Sequence, residues 1–110
     1  MLSLRKCLTD IAKFFAISSN SLKVGSILIQ WGSSTQSVAA DNRVNLTVKF
    51  PKSYSATPVV LAESTANTNF PELFQCGTKS ITKAQFTMVF RNQYSNAVDL
   101  PGVWIAIGKA

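Results

Sequence analysis

Five carboxylates are available for acid–base chemistry: Asp10, Asp41, Glu63, Glu72 and Asp99. No two sit close enough in sequence to predict the working pair of a glycosidase. The chain has no histidine, which removes the commonest general base and metal ligand. Without it the many serines cannot complete a Ser-His-Asp triad, and no G-x-S-x-G elbow occurs. No glycine-rich phosphate loop is present. Cys7 and Cys76 define neither a zinc spacing nor a disulfide framework, and both thiols read as free. No Asp-rich calcium loop appears. The sequence therefore predicts no enzyme, no cofactor and no metal centre.

Binding chemistry is better supplied. Asn67, Thr68 and Asn69 stand in one polar stretch, and Gln93, Tyr94, Ser95 and Asn96 in another. A tyrosine among amides and hydroxyls joins an apolar platform to donors and acceptors, which suits a carbohydrate. Asn45-Leu46-Thr47 fits the glycosylation acceptor pattern but lies inside a strand and reads as chance. The net charge of +6 is thinly spread: four bases face one acid in residues 1–24, and seven bases face four acids after them. No basic run of nucleic-acid type results, so no nucleic-acid partner is expected. No stretch approaches the roughly 18 apolar residues of a membrane span, and no membrane partner is expected either. No targeting segment is convincing, because Asp10 and Lys13 interrupt the apolar start.

The elements that must position these loops change period along the chain. Leu4, Leu8, Ile11 and Phe15 follow the a/d rhythm of a helix over residues 3–17, with Ser3 as a fair N-cap. So short a helix must pack on its own domain or on copies of itself. Beyond the polar break at Ser18–Ser21 the period becomes 2. "SILIQWG" (26–32), "RVNLTVKF" (43–50), "VVLAEST" (59–65), "AQFTMVFRN" (84–92) and "VWIAIG" (103–108) read as strands, with loops at 33–42, 66–80 and 93–102. The polar row Arg43, Asn45, Thr47 and Lys49 reads as a solvated or subunit-facing side. Tryptophans such as Trp31 and Trp104 more often serve a sandwich core than a sugar. The closing strand is apolar on both faces, however, and this makes an oligomer interface a natural second cover, with Trp104 assigned to it.

The order "ILIQWGSS", "VNLTVKFPKSY…TPVVLA", "ITKAQFTMVFRN" and "VWIAIG" resembles the C-terminal tip domains of bacteriophage tail fibres and, in the same order of elements, the H-type lectin domain. The matching residues are Ile29, Gln30, Trp31 and Gly32, then Val48, Phe50, Pro51, Tyr54, Pro58, Val59 and Val60, then Phe86, then Trp104, Ala106, Ile107 and Gly108. The resemblance implies a mainly β protein: a six-stranded antiparallel β-sandwich at residues 25–110, behind an N-terminal α-helix and linker at residues 1–24. It implies a homotrimeric virion protein, assembled in the bacterial host cytoplasm, and the a/d spacing together with the two apolar faces of the closing strand place Leu4, Leu8, Ile11, Phe15 and Trp104 at the oligomer or docking interface. Other virion proteins would be met through the helix. The H-type lectin sugar site is not carried over, because no residue here clearly matches it; the make-up of the polar loops themselves assigns a host-surface carbohydrate to Asn67, Thr68, Asn69, Gln93, Tyr94 and Asn96. The alternative is a capsid or tail decoration or connector protein with a purely structural role.

Overall fold

The structure, a computed structural model, describes residues 15–18 and 20–110. Among these residues the strands are β1 (Phe15–Ser18), β2 (Ser21–Val24), β3 (Ile27–Val38), β4 (Asn42–Lys49), β5 (Val59–Ser64), β6 (Phe74–Lys79), β7 (Gln85–Asn92) and β8 (Val98–Lys109). They form a five-stranded sheet in the order β1-β2-β3-β8-β5 and a three-stranded sheet in the order β4-β7-β6. Every pairing is antiparallel.

The long pair β3–β8 is the spine, in register from Ile27↔Lys109 to Val38↔Val98. Twelve residues of strand span about 40 Å, so the spine sets two well-separated ends. One end carries Lys109 and, through the Phe15↔Val24 and Val24↔Ile27 pairings, the start of β1. The other end carries Val38, Val98 and the polar loops.

Alternation builds the core. Leu28 of β3, Val60 of β5, and Leu100, Trp104 and Ala106 of β8 are buried beneath Phe86, Met88 and Phe90 of β7. Val44, Leu46 and Val48 of β4 pack against the same cluster. The aromatic centre is Phe86, stacked on Phe50 at 5.6 Å and edge-on to Trp104 at 5.3 Å. Gln30 has no exposed surface, and its amide closes a two-way bond with the turn after β4: Nε2 donates to the Lys52 carbonyl at 2.9 Å and Oε1 accepts from the Lys52 N–H at 2.8 Å. The Tyr54 hydroxyl donates to the Ala106 carbonyl at 3.0 Å and fixes the same turn to β8. Gly32 lies directly across from Trp104 in the β3–β8 register. The indole covers it so closely that an added Cβ would stand 2.6 Å from Nε1.

Several expectations are corrected. Phe15–Ser18, the last turn of the expected helix, is a strand paired with β2. Phe15, Ala16 and Ile17 tolerate an extended backbone, and hydrogen bonding to a neighbouring strand outweighs a two-heptad periodicity. Leu4, Leu8 and Ile11 lie outside the described residues, as does the rest of that helix. Among the described residues there are eight strands: six, β3–β8, lie within the expected sandwich at 25–110, and two more, β1 and β2, extend its larger sheet from the segment expected to be helix and linker. β2 and β6 fall in stretches read as linker and loop, and β3 runs on through the polar Ser33–Ser37, because β8 pairs with it over its whole length. Pro101 sits inside β8 without breaking it. Its carbonyl accepts the Thr65 N–H at 3.0 Å, just past the last residue of β5, so the missing N–H faces the edge that β5 is leaving.

The two outer faces differ. On the five-stranded sheet Val59 and Leu61 are 66% and 64% exposed, beside the exposed Ile27, Val103, Ile105 and Ile107. Registers place Val59 against Ile107, and Leu61 against Ile105, in adjoining rows. Trp104, expected at this interface, points the other way. It is 7% exposed and part of the core, so the interface candidates on β8 are the residues that alternate with it. The outer face of the three-stranded sheet is polar, with Arg43, Asn45, Thr47 and Lys49 of β4 exposed as their alternation predicts.

Candidate functional site

Two of the polar stretches that the sequence keeps apart meet at one end of the sandwich. The connection after β5 runs through Asn67, Thr68 and Asn69 into a short 3-10 turn, Pro71–Leu73, that leads straight into β6. The connection after β7 holds Gln93, Tyr94 and Asn96. Tyr94 stands at the junction, edge-on to Phe74 with ring centroids 6.1 Å apart. Two concavities flank its ring. One, of about 240 Å³, is lined by Thr68, Asn69, Phe70, Leu73, Phe74 and Tyr94. The other, of about 420 Å³, brings Asn67, Thr68 and Tyr94 together with Asp99 and Pro101.

Four of the six expected ligand residues, Asn67, Thr68, Asn69 and Tyr94, thus share one surface. Gln93 faces a different depression, with Arg43 and Gln75. Asn96 contributes its backbone carbonyl to a structural bond. Sequence reasoning missed two residues. Phe70, in the stretch read as a loop, is 58% exposed on the wall of the smaller concavity. Its signal was an aromatic directly after Asn69 in a polar loop.

The second is Asn92, which is fully buried and organises the whole end. Its Nδ2 donates to the carbonyls of Val38 and Ala39 at 3.2 Å each and of Asn96 at 2.9 Å. Its Oδ1 accepts the Tyr94 N–H at 2.8 Å. The Tyr94 carbonyl in turn accepts the Asp41 N–H at 3.0 Å. Asp41 holds a left-handed backbone, with φ of 48°, and its carboxylate meets Arg91 Nη2 at 2.7 Å. The signal for Asn92 was its place on the buried side of the β7 alternation, where an amide needs partners.

No group of three His, Cys, Asp or Glu among the described residues could hold a metal ion. Cys76 of β6 packs toward the core, its sulfur close beside Gly102. Burial pushes its thiol up to about 11. Alkylation of Cys76 by iodoacetamide, followed on its own peptide apart from that of Cys7, is therefore expected to be slow at pH 8 and to accelerate toward pH 11. A rate that levels off near pH 9, as for a free cysteine, would contradict this burial.

The site is one of aromatic faces, amides and hydroxyls on a two-sheet head, and its architecture is that of solved tail fibres. The N-truncated R1-type pyocin tail fibre matches with a TM-score of 0.65 and 13% identity, over 98% of each chain. A C-terminal fragment of the R2 pyocin fibre of P. aeruginosa matches with a TM-score of 0.61 and 18% identity, over 99% of this chain and 30% of the fragment. A longer R1 fragment of the same organism gives 0.65 and 13%, with 32% of the fragment covered. This chain thus spans about a third of those two longer fragments. At such identities the likeness is one of fold. No curated protein matches the chain. Residues 22–109 match the model of the family described as "Putative tail fiber protein gp53-like, C-terminal". The chain belongs to that family and is a tail-fibre C-terminal domain, a structural fibre component.

Proposed function

We propose that this domain is the host-facing head of a homotrimeric fibre and that its loop end binds a host-surface glycan around Tyr94. The observation that carries this reading is the convergence of the Asn67–Phe70 and Gln93–Asn96 stretches around one exposed tyrosine. They meet at the end of the β3–β8 spine opposite Phe15 and Lys109. A sugar ring needs an apolar face to lie on and polar groups to read its hydroxyls. Tyr94 and Phe70 supply the first, and Asn67, Thr68 and Asn69 the second. The residues N-terminal to β1 connect to other virion proteins from the far end.

The trimer reading is supported by the outer face of the five-stranded sheet. Exposed large apolar side chains gathered on one face are the mark of an interaction surface. Three copies around an axis would cover Leu61, Ile105 and their neighbours.

A glycan array read beside whole-cell binding tests the function. The domain is expected to retain defined glycans, and Tyr94→Ala is expected to lose at least tenfold in affinity, about 1.4 kcal/mol, with its thermal midpoint nearly unchanged. Silence of the native domain on every glycan and cell surface would leave the decoration or connector role instead. Sedimentation giving a monomer at micromolar concentration would remove the trimer.

A further inference from the structure

The strands of the three-stranded sheet contain no acidic residue, while carrying Arg43, Lys49, Lys79 and Arg91. Alternation puts all four on its outer face. Register then brings three side chains into one row: Arg43 pairs with Arg91, and Arg91 with Gln75. The next row is Asn45, Val89 and Gly77. A Cβ built on Gly77 would meet nothing within 4 Å. The missing side chain leaves a dish of about 340 Å³, floored by Gly77 and Val89 and rimmed by Arg43, Arg91, Gln75 and Gln93.

Like charges directly across a strand pair are unfavourable, so the Arg43–Arg91 pair needs a reason. Arg91 is held in place: Nη2 meets Asp41 at 2.7 Å and Nη1 donates to the Asn92 carbonyl at 3.1 Å. Asp41 offsets one of the two charges and stands outside the row. The guanidinium of Arg43 and the side-chain amides of Gln75 and Gln93 have no hydrogen-bonded partner among the described residues. A guanidinium fork matches a carboxylate or phosphate geometrically. Val89 and the bare Gly77 make the floor apolar, and the volume admits one sugar ring.

We propose that this dish binds an acidic sugar. Its oxyanion, a ring carboxylate or a phosphate ester, lies on Arg43 and Arg91. Its ring lies over Val89 in the space above Gly77, and its hydroxyls meet Gln75 and Gln93. The site goes beyond the Tyr94 loop reading and does not need it.

The test is amide chemical-shift titration of the full chain at 150 mM salt with methyl glucuronide, glucose 1-phosphate, methyl glucoside and inorganic phosphate. The expected result is saturable shifts of Gln75, Gly77 and Val89 with one or both acidic sugars, and none with methyl glucoside. Which acidic sugar binds more tightly separates carboxylate from phosphate ester. Arg43→Gln should weaken that binding at least tenfold. Gly77→Val, which fills open space and leaves the fold intact, should abolish it. Tyr94→Ala should leave it unchanged, so failure of the loop site and failure of the dish are read separately. Three results would overturn the proposal: no shift at Gly77; inorganic phosphate binding as tightly as the sugars; or a DNA oligonucleotide binding more tightly and ignoring Gly77→Val.

Discussion

Replacing Asn92 by aspartate should cost about 3 kcal/mol of stability at pH 7, through one atom changed. Asn92 is fully buried and spends its amide N–H groups on three carbonyls, those of Val38, Ala39 and Asn96. In Asn92→Asp an oxygen faces those carbonyls instead. Each buried polar group left without its partner costs about 1–3 kcal/mol, and an uncompensated charge costs more. The sign with pH follows from the surroundings. Burial and facing carbonyl oxygens raise the pKa of the new carboxyl in the folded state. Its ionisation penalty is therefore absent below the unfolded carboxyl range, near pH ~3.9, and grows as pH rises above it. Urea unfolding at pH 4 and pH 7 checks this. The deficit against the native chain should be clearly smaller at pH 4, and amide exchange at Tyr94 and Asp41 should accelerate at pH 7. Equal deficits at both pH values, or a loss under about 1 kcal/mol, would show that Asn92 is not the organiser of the loop end.

The second large effect concerns association. In the double variant Leu61→Lys/Ile105→Lys the proposed trimer should dissociate while the sandwich stays folded. The two residues are cross-strand partners on the outer face of the five-stranded sheet, 64% and 40% exposed. Burial of such side chains between copies contributes about 1 kcal/mol each after allowing for their partial cover in the monomer. Two lysines per copy add like charges at the same place. The association constant should fall by two orders of magnitude or more, about 3 kcal/mol. Sedimentation at several concentrations measures this, with circular dichroism as the control for folding. An unchanged oligomer would move the interface elsewhere.

Much of the fold is legible in the residues, and the gaps have physical causes. Val44, Leu46 and Val48 alternate cleanly because their strand has one core face and one wet face, and Phe50 just past its end keeps the same parity. β8 alternates too, but with apolar residues on both sides, so its periodicity cannot say that Trp104 faces inward and Ile105 outward. Ser33–Ser37 carries no apolar signal at all. It is a strand because β8 runs beside it, a contact 60 or more positions away along the chain that no local window contains. β6 is hidden by Gly77 in its middle. In the candidate site, Tyr94 and Asn67–Asn69 announce themselves by type. Arg43 and Arg91 do not, because only the β4–β7 register makes them neighbours.

The indole of Trp104 over Gly32 has a consequence for how such a domain changes over time. A side chain gained at residue 32 collides with the ring, and a ring lost at residue 104 leaves a void over a bare backbone. Either change alone is harmful, while the two together offset each other. The route between a Gly–Trp pair and any other pair therefore crosses a valley of unstable intermediates, and the two positions should be inherited as one unit across the sheet.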